Sequence, residues 1–290
     1  MNHITAPLLG RGWGRRLLWL RIIRPQTLFA SLVPVLVGLY IAGITDMTVA
    51  VCTAVCALLL QILSNLINDY YDYLRGTDKA GRAGFKRALA EGEVSERAMR
   101  NACITTAVLS CLVGLYLVIV GGWVILAIGL TALLFAWLYT ATSHSLSYLG
   151  IADIFVFLYY GVIASMGTAY LQQATDFTNA FYAGGVSGLI SMCVLMINNL
   201  RDYESDLVAG KRTIPVRFGK RTGEILMLIY VILMPVFAYQ AFGSGSLAGF
   251  IAVPAFALWI NVTQAKGVKY NKCLLTAGIL NVLYFLLILL

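Results

Sequence analysis

The sequence predicts an all-α polytopic membrane protein, and three observations support this fold class. Hydrophobic residues make up 60% of the 290-residue chain and charged residues only 12%, whereas about a quarter of a soluble domain is charged. The mean hydropathy is +0.83. Continuous apolar runs recur at close to the roughly 20 residues that a helix needs to cross a bilayer. This composition excludes a soluble enzyme, a nucleic-acid-binding protein and a disordered chain.

Nine apolar segments are predicted as membrane-spanning helices that form one bundle. Their approximate ranges are 22–42, 48–68, 99–119, 122–140, 148–170, 179–199, 223–242, 246–264 and 272–290. The runs are continuous and helical in length, and they lack the alternating pattern of an outer-membrane barrel. We therefore expect residues 1–21 to be a basic cytoplasmic N-terminal segment and residues 22–290 to be a single nine-helix transmembrane domain.

The positions of Lys and Arg predict how these segments are oriented. Five lie before or at the start of the first segment, seven in or beside 70–100, six in 200–221 and three in 266–272, which accounts for all 21. If the segments alternate, all four groups fall on one side. The opposite, outer connections, near 43–47, 120–121, 171–178 and 243–245, hold no Lys or Arg. Because positive residues are enriched on the cytoplasmic side, we expect a cytoplasmic N-terminus and a C-terminus on the opposite side of the membrane.

Two acidic clusters lie at the inner ends of the second and sixth predicted helices. Asn198, Asp202 and Asp206 are spaced i, i+4 and i+8, which places them along one face of a helix. The other cluster repeats part of this pattern and consists of Asn68, Asp69, Asp72 and Asp78. Both clusters emerge on the cytoplasmic side, so two acidic patches are expected to converge there.

The acidic clusters indicate a site for a hard cation. Carboxylates at a helix C-terminus face the negative end of the helix dipole, and an acid within the bilayer costs about 2.5–3.5 kcal/mol on insertion scales. Oxygen ligands without nearby His or Cys suit Mg²⁺. The expected ligands are the five acids Asp69, Asp72, Asp78, Asp202 and Asp206. The alternative is that these acids pair with adjacent Lys and Arg at a hydrated helix end.

Basic residues follow each acidic cluster and are candidates for binding a diphosphate. They are Lys79, Arg82, Lys86 and Arg87 after the first cluster and Lys211, Arg212 and Arg217 after the second. The expected diphosphate-binding residues among them are Lys79, Arg82, Arg87, Lys211 and Arg217. Metal-binding acids and cations at one mouth can together neutralise a diphosphate. The alternative for any single one of them is that it only marks the cytoplasmic side.

Four stretches of this sequence resemble the UbiA superfamily of intramembrane prenyltransferases, most closely its 1,4-dihydroxy-2-naphthoate (menaquinone) branch. They lie within 24–38, 61–78, 149–161 and 198–219. The second and fourth stretches carry the two Asp-rich motifs. The loop at 141–147 departs from the branch, because Ala-Thr-Ser-His-Ser-Leu-Ser stands where a Pro-Tyr-Gly pattern is usual. The residues expected to bind the diphosphate therefore match the branch more closely than those expected to bind the acceptor.

The resemblance implies Mg²⁺-dependent transfer of a polyprenyl group from its diphosphate to a small aromatic acceptor, most closely 1,4-dihydroxy-2-naphthoate. It also adds Asn68 and Asn198 to the expected Mg²⁺ ligands. Asp72 and Asp202 would be catalytic, together with Asp153 as an acceptor-site base; for Asp153, helix packing is the alternative. Residues expected near the acceptor or prenyl group are Arg24, Tyr139, Tyr148 and Asn199.

Two other functions remain open from the sequence. The acceptor can instead be 4-hydroxybenzoate or another phenol. A cation-coupled transporter is the alternative from another class, although transport sites lie near the bilayer midplane and these acids lie at the helix ends.

Overall fold

A computed structural model describes residues 18–76, 87–140 and 152–290, excluding the side chains of 139 and 140. Within these ranges the regular structure is helical, and no strand occurs. The α-helices are α1 (Pro25–Ala42), α2 (Met47–Leu74), α3 (Glu96–Thr140), α4 (Ala152–Phe157), α5 (Ile163–Leu171), α6 (Thr178–Arg201), α7 (Tyr203–Val208), α8 (Ile214–Phe218), α9 (Lys220–Phe242), α10 (Ala252–Thr263) and α11 (Lys269–Leu289). A π-helical segment, Leu158–Val162, joins α4 to α5, and a 3₁₀ turn, Leu247–Ile251, precedes α10. The all-α prediction is confirmed.

Seven helical stretches of the described chain are long and apolar enough to cross a bilayer. The apolar helix Leu247–Thr263 is shorter. The third and fourth predicted segments lie together in α3, whose 45 residues would extend about 67 Å if straight. Gly122 interrupts α3 with φ 65° and ψ −151°, a conformation that glycine adopts without a Cβ clash.

The first spanning helix begins later than predicted because of Pro25. Residues 18–23 are helical, and α1 then starts at Pro25. Proline disfavours the helical conformation in the residue before it, and Arg24 adopts φ 57° and ψ 70°. This left-handed conformation is uncommon for a residue other than glycine. The resulting break leaves the carbonyl groups of Ile23 and Arg24 available to side chains.

Helix α6 is the central helix of the bundle. It packs against α1, α5, α9 and α11. Of the 18-residue apolar stretch within it, 83% is buried inside the protein. Glycines allow the π-helical segment to approach it closely: a Cβ on Gly161 would lie 2.6 Å from the Gly188 Cα, and a Cβ on Gly188 would lie 2.6 Å from the Phe157 carbonyl oxygen. Small residues at such contacts are typical of membrane helix packing.

A buried glutamine joins two helix ends on the side away from the acidic clusters. The Gln172 side-chain oxygen accepts hydrogen bonds from the backbone N–H groups of Thr45 (2.8 Å) and Asp46 (3.0 Å). Asp46 in turn caps α2 by accepting from the Val49 N–H at 3.0 Å. The predicted outer connections 43–47 and 171–178 therefore lie together at one end of the bundle.

We expect Gly188→Ala to lower the free energy of unfolding by about 1–3 kcal/mol, the usual cost of overpacking. The added methyl group would contact the Phe157 backbone, which cannot rotate away. Thermal unfolding of the purified protein in detergent measures the effect. Gly245→Ala is the control, since a Cβ there meets nothing within 4 Å, and equal melting temperatures for the two variants would contradict the prediction.

Candidate active site

A cavity of about 530 Å³ opens among α1, α2, α3, the α4–α5 segment and α6. Apolar side chains such as Leu117, Val118 and Ile125 form most of its wall. One end is polar and carries Arg24, Asn65 and other hydrogen-bonding groups. A cavity of this form can hold a polar head group at one end and a hydrocarbon chain along the rest.

One asparagine from each predicted motif lies at the polar end of this cavity. Asn68 of α2 and Asn198 of α6 both line it, although these residues are 130 positions apart in the chain. Each Asn precedes an acid by one helical turn, Asp72 in α2 and Asp202 after α6. Asp72 is buried, with 3% of its surface exposed. The two asparagines therefore line the same cavity, and the convergence of the acidic residues stays a prediction.

Asp69 lies at the centre of an ion-pair cluster. Its Oδ1 oxygen pairs with the guanidinium groups of Arg24 and Arg87, and Arg87 also donates to the Asn68 side-chain oxygen at 3.3 Å. Asp69 is 3% exposed, so its charge requires these partners. The structure places this predicted metal ligand between two predicted substrate-binding arginines, and a metal role for Asp69 stays a prediction.

The second motif is held by its own arginine. Arg201 donates two hydrogen bonds to the Asp202 carboxylate, at 2.9 and 2.8 Å, and a third to the Asn271 side chain at 3.2 Å. The helix predicted through this motif is interrupted at Asp202, between α6 and α7. Its register continues, because the Asp202 N–H donates to Asn198 O and the Asp206 N–H to Asp202 O.

The remaining predicted diphosphate-binding cations lie beside the second motif or outside the described residues. Lys211 pairs with Asp206 at 3.4 Å. Arg217 lies in α8 with its guanidinium over the Phe218 ring, 5.3 Å from the centroid. The predicted residues that lie outside the described side chains are Asp78, Lys79, Arg82, Tyr139 and Tyr148.

The predicted acceptor-site residues differ in their surroundings. Arg24 lines the cavity. Asn199 is half-buried one position after Asn198, which lines the cavity. Asp153 lies in the first turn of α4, buried, and accepts a hydrogen bond from the Tyr230 hydroxyl at 3.3 Å. This contact corresponds to the helix-packing alternative for Asp153, and its role as a base stays a prediction.

Among the described residues, no group of three or more His, Cys, Asp and Glu side chains is placed to hold a metal ion. Mg²⁺ does not need such a cluster, because it commonly takes one or two carboxylates together with substrate phosphates and water. Asn68 and Asp72 in α2, with Asn198 and Asp202 at the end of α6, carry oxygen donors of the kind that Mg²⁺ takes. The donor set therefore fits Mg²⁺ presented with a diphosphate.

Several cavity residues were not predicted as site residues. Thr27, Gln61 and Ser64 line the cavity beside Asn65, and Tyr160 of the π-helical segment lies beside Ser64. Gln61, Asn65 and Asn68 are spaced i, i+4 and i+7 in the sequence. This spacing could have shown that the polar face of the first motif continues into the apolar part of the helix. The π-helical segment has no comparable sequence signal, although such segments often occur at functional sites.

Sequence comparison places this geometry in a known family. The profile of the UbiA prenyltransferase family matches residues 31–286. The chain belongs to this family. It is a prenyltransferase and an integral membrane protein.

Two curated relatives and one solved structure define the similarity more closely. The chain is 39% identical over 213 residues to a 1,4-dihydroxy-2-naphthoate octaprenyltransferase from Escherichia coli K12, covering 70% of this chain and 68% of that protein. It is 31% identical to the enzyme of the same name from Mycobacterium tuberculosis, covering 81% and 82%. A UbiA homologue from Archaeoglobus fulgidus bound to GPP and Mg²⁺ has the same fold, with TM-score 0.67 and 21% identity over 93% of this chain and 97% of that one.

We expect Asp69→Asn to lower the free energy of unfolding by about 3–5 kcal/mol, because it removes a buried negative charge that pairs with two partly buried guanidinium groups. Chemical or thermal unfolding in detergent measures this loss. Glu204→Gln is the matched control: its ion pair with Lys220 is exposed, so the change should cost at most about 1 kcal/mol. Equal losses in the two variants would contradict the central role of Asp69.

Proposed function

We propose that this chain transfers a polyprenyl group from polyprenyl diphosphate to an aromatic acceptor, most closely 1,4-dihydroxy-2-naphthoate. The observation that carries the proposal is that Asn68 and Asn198, one from each Asp-rich motif, line the polar end of one largely apolar cavity. A diphosphate at that end would direct its prenyl chain along the apolar wall. The naphthoate acceptor is supported by the names of the relatives from E. coli and M. tuberculosis.

In this proposal the two motifs hold Mg²⁺ together with the diphosphate. The ligands would come from Asn68, Asp72, Asp78, Asn198, Asp202 and Asp206, with Asp69 nearby. Bound Mg²⁺ supplies Lewis-acid neutralisation of the leaving diphosphate. The A. fulgidus homologue with bound GPP and Mg²⁺ supports this assignment.

Cationic side chains would bind the diphosphate oxygens that the metal leaves uncovered. Arg87 is fixed at the first motif by Asp69 and Asn68, and Lys211 is fixed at the second by Asp206. Arg217, Lys79 and Arg82 would add to this set. Charge-assisted hydrogen bonds from preordered cations stabilise a leaving anion without reorganisation at the moment of reaction.

The acceptor would bind beside the polar end, with Arg24 placed to receive its carboxylate. Arg24 is held by Asp69 and lines the cavity. Asn199, Tyr139 and Tyr148 are the other proposed contacts, and Asp153 is the proposed base. The apolar wall excludes the water that would otherwise capture an allylic cation, and the rings of Phe155 and Tyr159 in that wall can stabilise such a cation.

The proposed membrane arrangement has nine spans, with residues 22–290 as one domain, a cytoplasmic N-terminus and the active site facing the cytoplasm of a bacterial inner membrane. Division of α3 at Gly122 and a span at Leu247–Thr263 would raise the seven candidate spans to nine. All Lys and Arg would then lie on the cytoplasmic side. This arrangement also places the motifs where a diphosphate from the cytoplasm can reach them.

We expect Asp72→Ala or Asp202→Ala to abolish prenyl transfer, because each change removes a carboxylate from one side of the proposed Mg²⁺ site. Asp202→Ala also removes the carboxylate to which Arg201 donates, so the melting temperature of each variant in detergent is measured beside its activity, and only variants that remain folded and inserted are compared. Purified protein is given Mg²⁺, labelled polyprenyl diphosphate and either 1,4-dihydroxy-2-naphthoate or 4-hydroxybenzoate, and the products are read by mass. Asp176→Ala, in an exposed outer loop, is the control. Near-normal activity in both motif variants would remove the metal-site proposal.

The nine-span arrangement predicts which single cysteines react with a membrane-impermeant maleimide in intact cells. With the six native cysteines replaced by alanine, Asp176→Cys and Ser244→Cys should label from outside. Glu91→Cys should label only after permeabilisation, because it lies in the basic cytoplasmic connection. Labelling of Asp176→Cys and Ser244→Cys from opposite sides would contradict the arrangement.

A further inference from the structure

A short chain of hydrogen bonds crosses from the helix break at Arg24 to the cavity. The Thr27 hydroxyl donates to the Arg24 carbonyl oxygen at 2.9 Å. The Asn65 amide donates to the Ile23 carbonyl oxygen and to Thr27 Oγ1, both at 2.9 Å. The Gln61 amide donates to Thr27 Oγ1 and to Asn65 Oδ1, both at 3.3 Å. The chain therefore ends at Gln61.

The two backbone carbonyl groups at the start of this hydrogen-bond network determine which group donates and which accepts in each later bond. The carbonyl groups of Ile23 and Arg24 can only accept, so they require the Thr27 proton and the Asn65 NH₂ group. Asn65 must then turn its oxygen towards Gln61, which must present its own NH₂ group. Both Gln61 amide protons are used, and Gln61 Oε1 remains as the terminal acceptor.

Gln61 Oε1 is buried and accepts no hydrogen bond from the described residues. The Gln61 side chain lines the cavity and is 7% exposed overall. A buried polar atom without a partner costs about 1–3 kcal/mol, so a ligand group that donates a hydrogen bond to this oxygen would be bound more tightly.

The chemistry of the two substrates identifies the donor. A prenyl diphosphate bound to Mg²⁺ offers anionic oxygens and hydrocarbon, neither of which donates a hydrogen bond. A hydroxylated aromatic acid offers phenolic O–H groups. Gln61 lies one helical turn, about 6 Å, from Asn65 and about 10 Å from Asn68 along α2, on the apolar side of the diphosphate end.

We propose that Gln61 is a specificity-determining residue that accepts a hydrogen bond from a ring hydroxyl of the aromatic acceptor. This inference rests on the proposed function and assigns an acceptor subsite within it. With the carboxylate at Arg24 and a hydroxyl at Gln61, the ring is held at two points along the polar wall of the cavity. The two contacts fix which ring carbon faces the end of the prenyl chain.

The test compares 1,4-dihydroxy-2-naphthoate with its two mono-O-methyl ethers under reducing conditions. Dissociation constants are measured by titration of the purified full chain in detergent, and KM values are measured for both substrates. In the unaltered protein, methylation of the hydroxyl that contacts Gln61 should weaken binding about tenfold. In Gln61→Leu the dissociation constants of the naphthoate and of that same ether should agree within about twofold. The KM for polyprenyl diphosphate should not change.

Matched variants separate loss of the contact from loss of the fold. Gln61→Met keeps the length of the side chain and should behave as Gln61→Leu does. Asn281→Leu is the control, because Asn281 is a fully buried amide on α11 and should leave the discrimination between the ligands at the value of the unaltered protein.

The outcomes distinguish this inference from the function on which it rests. If the unaltered protein prenylates no hydroxylated aromatic acid, the proposed function is wrong and the acceptor subsite fails with it. If it prenylates the naphthoate but Gln61→Leu and Gln61→Met retain the original discrimination against both ethers, only the assignment of Gln61 is wrong. A tenfold rise in KM for polyprenyl diphosphate in both variants would likewise overturn it.

Discussion

Burial of the Asp69 carboxylate is the constraint on which the polar end of this bundle depends. A buried carboxylate is tolerated only with close positive partners, and Asp69 Oδ1 pairs with Arg24, at the start of α1, and with Arg87, which precedes α3. The pairing fixes three separate parts of the chain around the first motif. It also places Arg24 at the polar end of the cavity and holds Arg87 against Asn68, which lines that end.

A second constraint comes from the scarcity of polar partners inside an apolar bundle. Backbone carbonyl groups freed by a helix break must find donors within the protein, and the break at Arg24-Pro25 supplies two of them to Thr27 and Asn65. The network that satisfies these carbonyls ends at Gln61. The helix break at Pro25 thus sets which way the amide of Gln61, one helical turn beyond Asn65, is oriented in the cavity wall.

The spanning segments were predictable because lipid exposure requires long apolar runs, and the observed α9 and α11 lie within a few residues of their predicted ranges. The late start of α1 follows from a proline rule that hydropathy ignores. The two motifs were recognisable from the spacing of Asn and Asp. Their ion pairs were not, because Arg24 and Asp69 are 45 positions apart and many arginines were available to each acid.

The sequence by itself determined that this is a helical membrane protein of the UbiA family with two acidic motifs, since composition, periodicity and motif spacing are local properties of the chain. Only the tertiary structure decided that Asn68 and Asn198 share one cavity, that Asp69 is enclosed by two arginines and that Gln61 faces the same cavity. These relations depend on how α1, α2 and α6 pack together, and helix packing is set by the shapes of many contacting side chains at once.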